Sequence, residues 1–283
     1  GKGTRIASIT KDEIPKPMLT IGEKPILEHQ IDCLKKSNID EVIIVIGHLG
    51  EKIKAYFDDG SKLGIKLTYF EEDPNKPLGT AGSLYYLKEK IAEDFILVFG
   101  DVFFSIDFNK MIEFHKSNKS DATLLTHPNS HPFDSDLVVV DENNRVKQFD
   151  SKENNRNYDY KNLVNSGIYI FSPEIFEYIN EPKKYGLEKD VITKMIENGD
   201  EVLSYHSTEY VKDMGTPERY DSVNNDYANG LCEKRNLSHK QKAIFLDRDG
   251  TINVHIPFLV NKEDFKLIDG VSEAIKLVNN SEY

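Results

Sequence analysis

Four aspartates and a basic, glycine-rich run are the residues of this chain whose types and spacing could do phosphate chemistry. Gly1-Lys2-Gly3-Thr4-Arg5 sets two glycines, a hydroxyl and two cations within one turn, and Pro15-Lys16-Pro17-Met18-Leu19 follows at a short interval. Glycines let backbone N–H groups approach a phosphate closely, and Arg adds a charged fork of donors, so Gly1 to Arg5 reads as a triphosphate cradle. Such a loop ordinarily follows a buried strand, which is therefore expected upstream of Gly1. Asp101 closes Phe99-Gly100-Asp101 behind an apolar run, which places its carboxylate at the carboxyl end of a strand, where open α/β sheets bind ligands. Asp213 precedes Met214-Gly215-Thr216-Pro217, a turn into a helix. Either aspartate alone reads as a turn or helix-cap residue. Asp247 and Asp249 differ, because residues two apart at a strand end point the same way and could share one Mg2+. The eight histidines supply no ligand set: His127 and His131 are four apart, but Pro128 and Pro132 break any helix that would align them.

The elements that must hold these residues alternate. Leu27, Ile31 and Leu34 follow helical spacing, and the β-branched run 42–46 after them ends in Gly47. The pattern recurs, with Leu84, Leu87 and Ile91 on a helix before a strand at 95–99, and Met111 and Phe114 on a helix before a strand at 122–126. Alternating helices and continuous apolar strands predict an α/β domain with a mostly parallel, Rossmann-like sheet. Strands without helices at 137–140, 146–149 and 167–171 predict an antiparallel addition, making the sheet mixed. Val191, Ile192, Met195 and Ile196 mark a further helix, and 202–205 another short strand. Residues 229–241 are polar with little apolar rhythm and read as a linker between a large domain, 1–228, and a second unit, 242–283. That unit opens on an apolar strand at 243–246 and carries Val271, Ala274, Ile275 and Val278 on a helix, too little chain for an independent core.

A net charge of -12 opposes general binding to nucleic acid or anionic membrane, so any basic site must be local. Cys33 and Cys232 are far apart and lack metal-knuckle spacing. No apolar run approaches the roughly 20 residues of a membrane span, and the chain reads as cytoplasmic. A homo-oligomer is open to it.

Six motifs in order resemble those of nucleoside-diphosphate-sugar pyrophosphorylases, the sugar-1-phosphate nucleotidyltransferases: Gly1 to Arg5 with Pro15 to Leu19 and Lys24-Pro25-Ile26-Leu27; Leu78-Gly79-Thr80-Ala81-Gly82; Phe99-Gly100-Asp101; Asn165-Ser166-Gly167-Ile168-Tyr169; Glu188-Lys189-Asp190; and Val211-Lys212-Asp213 with the turn after it. The resemblance implies Asp101 and Asp213 as paired ligands of Mg2+, Gly1, Gly3, Thr4, Gly79, Thr80 and Gly82 at the nucleotide, and Asn165, Gly167 and Glu188 at the sugar. It implies in-line attack of a sugar 1-phosphate oxygen on the α-phosphorus of a nucleoside triphosphate, with Arg5 stabilising the departing pyrophosphate and Lys16 the α-phosphate. The family's phosphate-binding lysine falls on Lys152, in a segment where Ser151 replaces Glu and Glu153 replaces Pro, with Asp150 as a substitute sugar contact. Lys189 is a second candidate for the sugar phosphate, or a helix-surface lysine.

Ala243-Ile244-Phe245-Leu246-Asp247-Arg248-Asp249-Gly250-Thr251-Ile252-Asn253 resembles the first motif of the haloacid-dehalogenase phosphatases, in the branch acting on heptose bisphosphate and histidinol phosphate. There Asp247 is the implied nucleophile and Asp249 the acid and base. The family's later motifs do not occur before Tyr283, so phosphatase turnover is not expected from these residues alone. A phosphatase that leaves a heptose 1-phosphate, joined to loops most similar to guanylyltransferases, implies GTP and D-glycero-D-manno-heptose 1-phosphate as substrates. Mannose 1-phosphate with GTP, or glucose 1-phosphate with another nucleotide, are the alternatives. A non-catalytic nucleotide-sugar sensor is disfavoured because Arg5, Lys16, Asp101 and Asp213 are all present.

Overall fold

In the computed structural model, which describes residues 4–240, 242–279 and 281, the helix expected from Leu27, Ile31 and Leu34 is α1 (Ile26–Lys36). β1 (Glu41–Ile46), α2 (Gly50–Phe57) and β2 (Lys66–Glu71) follow, with β1 and β2 paired in parallel. The apolar stripe of α1 meets Ile44, Ile46, Ile53 and Phe57, so this first layer forms because a helix and a parallel pair each have one face to bury. Leu84 to Ile91 departs from expectation. A 3-10 helix, Gly82–Tyr86, takes its place, since Leu84 and Leu87, three apart, both reach the core on that tighter winding.

Next come β3 (Phe95–Val98), β4 (Val102–Ser105), α3 (Phe108–Asn118), β5 (Ala122–His127), β6 (Leu137–Val140), β7 (Val146–Asp150) and β8 (Val164–Phe171). They are followed by α4 (Thr193–Asn198), β9 (Val202–His206), β10 (Tyr210–Asp213), α5 (Pro217–Ala228) and α6 (Leu231–Lys234). The main sheet runs β9-β5-β8-β6-β7, with β3 also on β8. It is mixed: β9 is parallel to β5, whereas β8 is antiparallel to β3, β5 and β6. The antiparallel addition expected at 137–140, 146–149 and 167–171 is present as β6, β7 and β8, with β8 beginning earlier, at Val164, and buried on both faces. The carboxyl ends of β3, β5 and β9 thus meet the amino end of β8, and β4 and β10 form a separate antiparallel ribbon.

Two compact units divide at Asn236 and Leu237. The stretch 229–241 expected as a linker instead begins with α6, whose Cys232 is buried, and Asn236 donates to Ser105 Oγ at 3.1 Å, so its first half belongs to the large unit. Polar side chains that cap and bridge gave this stretch its loop-like composition. In the second unit, 243–246 forms no strand: among the described residues no ladder pairs with it, and Phe245 is 95% exposed. A strand's N–H and C=O groups need a neighbour, and an apolar run cannot supply one. The helix expected from Val271 to Val278 is present as α7 (Val271–Asn279), with none of its side chains buried.

Candidate active site

Backbone pairing brings Asp101 and Asp213 together. Asp213, the last residue of β10, stands opposite Val102 at the start of β4, and the Met214 N–H donates to the Asp101 carbonyl at 2.8 Å. Lys16 lies on a 3-10 turn, Lys16–Met18, and donates to Asp101 Oδ2 at 3.1 Å with its own side chain only 17% exposed. A Cβ on Gly100 would lie 3.1 Å from Pro17 Cγ, so the lysine turn packs directly on the aspartate turn. Arg5 is anchored through its neighbour Ile6, which is fully buried. Its Nη2 is 3.4 Å from the Cβ that Gly215 lacks, and that position lies 2.7 Å from Asp213 Oδ1. Gly215 therefore leaves room for Arg5 to approach Asp213. Arg219 completes the group: Thr216 caps α5 by accepting from the Arg219 N–H, and the guanidinium folds back to both Asp213 oxygens. Lys16 and Arg219 pair with the two carboxylates, which are still 40–49% exposed, and Arg5 lies alongside at Gly215. Two hard, accessible carboxylates fit a divalent ion such as Mg2+ that draws its remaining ligands from water and phosphate. Among the described residues no cluster of three or more His, Cys, Asp or Glu forms a closed metal cage.

A second group lies at the amino end of β8. The register of β8 against β5 shifts between Asn165 and Tyr169, and Gly167 inside this bulge adopts φ 77° with its missing Cβ 2.9 Å from the Phe99 ring. Past the bulge Tyr169 donates to Glu188 Oε1 at 2.6 Å and accepts from Asn165 Nδ2 at 2.7 Å. Burial, reinforced by Glu188, pushes the Tyr169 phenol well above its ordinary range, so it stays the donor. Glu188 Oε2 takes no hydrogen bond among the described residues and is available to a hydroxyl. Glu188 sits on one π-helical turn, Leu187–Ile192, a winding often found at functional sites. The loop at 78–82 is fitted to this segment. The Tyr185 carbonyl accepts from the Thr80 N–H at 2.9 Å, Thr80 Oγ1 accepts from the Leu187 N–H at 2.7 Å, and Cβ atoms on Gly79 and Gly82 would meet the carbonyl oxygens of Tyr185 and Lys183 at 2.3 and 2.2 Å.

A family model described as nucleotidyl transferase matches residues 1–230, across both groups of side chains. The chain belongs to the nucleotidyl transferase family. A mannose-1-phosphate guanylyltransferase of Mycobacterium tuberculosis is 32% identical over 234 residues, 82% of this chain and 64% of that protein. A UTP–glucose-1-phosphate uridylyltransferase of Synechocystis is 31% identical over 211 residues, 70% of this chain and 54% of that protein. The chain thus spans less than two thirds of either relative's length. Among solved structures, HddC from Yersinia pseudotuberculosis superposes with a TM-score of 0.64 at 24% identity, covering 76% of this chain and 90% of HddC. An apo UDP-glucose pyrophosphorylase superposes with a TM-score of 0.65 at 17% identity, covering 82% and 96% of the two chains. These likenesses establish the mixed α/β fold.

Within this nucleotidyl transferase, Arg5, Lys16, Asp101 and Asp213 form one group and Asn165, Gly167 and Glu188 the other. Gly1 and Gly3 lie outside the described residues, and Thr4 is described only through its backbone, the first residue of a 3-10 turn. The glycines of the 78–82 loop are closely approached by the 183–187 segment, and the Thr80 hydroxyl accepts from the Leu187 N–H, which seats that loop against the segment that carries Glu188. Asp150 is no substitute sugar contact. It is buried, and Arg156, Asn154 and Tyr158 donate to it at 2.7, 2.8 and 2.5 Å, which makes it the anchor of the loop after β7. Lys152 contacts Asp134 and Asp136 of the neighbouring loop rather than the Glu188 group, and Lys189 is exposed. Arg219, Tyr169 and Gln30 were missed from the sequence. Gln30 carried a signal, as a polar residue on the apolar face of α1 between Leu27 and Ile31. In the second unit Asp249 is held by Arg248 at 2.8 Å and by Asn253 at 3.1 Å, and Asp247 is exposed.

Proposed function

We propose that the protein is a sugar-1-phosphate nucleotidyltransferase that joins GTP to D-glycero-D-manno-heptose 1-phosphate, giving GDP-heptose and pyrophosphate. The observation that carries the reading is the pairing of Lys16 with Asp101 and of Arg219 with Asp213, with Arg5 alongside at Gly215, next to a hydroxyl-seeking group at Glu188. The sugar phosphate oxygen attacks the α-phosphorus, the bond from that phosphorus to the bridging oxygen breaks, and the electron pair leaves with pyrophosphate. No enzyme nucleophile is needed, so the work is placement and charge stabilisation. Lys16 faces the α-phosphate and Arg5 the departing pyrophosphate, while Glu188, oriented by Tyr169 and Asn165, accepts from sugar hydroxyls. Mg2+ held by Asp101 and Asp213 would neutralise charge on the phosphate oxygens. Arg219, which holds both Asp213 oxygens, would compete with such an ion for that carboxylate.

Guanine is favoured by the Mycobacterium tuberculosis relative, named a guanylyltransferase, and by the HddC structure solved with GMP-PN, which superposes with a TM-score of 0.64. Heptose rests on the likeness of 243–253 to heptose bisphosphate phosphatases, in which Asp247 and Asp249 would serve a second activity. Pyrophosphate release measured over four nucleoside triphosphates and a panel of sugar 1-phosphates tests the reading. The pair of GTP with heptose 1-phosphate should give the highest kcat/KM; a higher value for mannose or glucose 1-phosphate would replace the heptose, and no release from any pair would end the proposal.

A further inference from the structure

Gln30 occupies the middle of α1 and is 3% exposed. Its Nε2 donates to the Phe99 carbonyl at 3.0 Å and to the Val102 carbonyl at 2.6 Å. Those two residues bracket Gly100 and Asp101, so one amide spans the turn that presents the metal-facing carboxylate. The turn is also closed by its own Val102 N–H to Phe99 carbonyl bond at 3.2 Å. Pro17 presses on the same turn at Gly100, within 3.1 Å of the absent Cβ. Pro17 and Gln30 belong to one stretch of chain, tied together where the Ile26 N–H donates to the Leu19 carbonyl at 2.9 Å. The stretch that carries Lys16 therefore also grips the turn that carries Asp101. The 3.1 Å approach of Lys16 to Asp101 is the outcome of that grip.

We propose that Gln30 is a positioning residue: through two carbonyls it fixes the Asp101 turn against the Lys16 turn, without touching substrate. The inference rests on the function proposed above. Only a neutral side chain with two N–H donors fits. A carboxylate of the same shape would face two carbonyl oxygens without a donor, and an apolar side chain would leave both without this partner. One turn further along the same helix, Cys33 Sγ donates to the Ile106 carbonyl at 3.1 Å, beyond the far end of β4. It provides a comparator that loosens the same helix–strand contact away from the turn.

The test uses the full chain with Gln30→Met, Gln30→Asn and Cys33→Ala, reading kcat, KM for each substrate, Tm, and Mn2+ affinity by electron paramagnetic resonance. Gln30→Met should lower kcat roughly tenfold and Mn2+ affinity several-fold with KM for the sugar phosphate within about twofold, while Cys33→Ala lowers Tm with kcat and Mn2+ affinity kept. Gln30→Asn, which keeps the donors but moves them by one methylene, should show the same split at about threefold and decides the matter if the Met variant does not fold. The proposal is overturned if the Gln30 variants lose Tm but keep kcat and Mn2+ affinity, or behave as Cys33→Ala does. Should the wild-type chain release no pyrophosphate from any substrate pair, the functional reading fails by itself, and Mn2+ affinity still decides the role of Gln30.

Discussion

The two units each carry a pair of aspartates behind an apolar run, and only one pair is built into a framework. Asp101 and Asp213 are distant in sequence yet neighbours by strand pairing, with Lys16 paired to the first and Arg219 to the second. Asp247 and Asp249 are neighbours in sequence, but 243–246 pairs with no strand among the described residues and Phe245 is 95% exposed. A carboxylate becomes a site when the backbone around it has its hydrogen bonds elsewhere and its position is over-determined. Spacing alone marks the candidate without supplying that support.

The sharpest way to break this comparison is to neutralise one pair at a time. Asp101→Asn or Asp213→Asn should cost on the order of a thousandfold in kcat, about 4 kcal/mol, in pyrophosphate release. Asp247→Asn should leave that rate within about twofold, because its carboxylate belongs to the other unit. A large loss from Asp247→Asn would mean that the nucleotidyl transfer site extends into the second unit.

Stability separates the units next. Asp150 and Arg156 form a pair with side chains 5% and 6% exposed, and removing one partner strands the other. Asp150→Asn should cost about 3 kcal/mol, read as a lower denaturant midpoint. Tyr158, then Asn154 and Arg156, hold the Asp150 carboxyl below its usual 3.8. A depressed folded value means that the unfolded chain binds more protons, so this contribution is complete above about pH 4 and is lost on further acidification. In Asp150→Asn that part of the acid limb should flatten. Among the described residues no side chain of α7 is buried, whereas β8 is buried along most of its length, so the amides of α7 should exchange faster than those of β8.

Smaller effects test the fine fit. Thr80→Val leaves the Leu187 N–H without its 2.7 Å acceptor and should cost about 1 kcal/mol, with KM rising for the sugar phosphate as the Glu188 turn loosens. Arg219→Gln removes the cation that competes for Asp213, so half-maximal rate should need roughly threefold less Mg2+ while KM for GTP rises. Unchanged metal dependence would show that the Arg219 pair is only a surface contact.

Much of the first unit is legible in the sequence, because each apolar stripe has a partner to pack on. Helix α1, strand β1 and the pairs around β8 follow from spacing, and the ordered motifs locate Asp101, Asp213, Asn165 and Glu188. What stays hidden is partnership. The strands without helices announce the antiparallel run of β6, β7 and β8, but Arg219 becomes visible only when the cap at Thr216 turns its guanidinium back on Asp213. Gly79 and Gly82 show the same limit: a glycine records close approach, and the sequence does not say that the carbonyls of Tyr185 and Lys183 are among the groups that approach. The strand at 243–246 marks the opposite limit, where an apolar run is present and a sheet to receive it is not.

The most direct test compares Mg2+-dependent pyrophosphate release by the wild-type chain, Asp101→Asn and Asp247→Asn in parallel, with GTP and a heptose 1-phosphate. Release by the wild type and Asp247→Asn at matching rates, with Asp101→Asn lower on the order of a thousandfold, is the predicted result. Equal rates for wild type and Asp101→Asn would contradict the account.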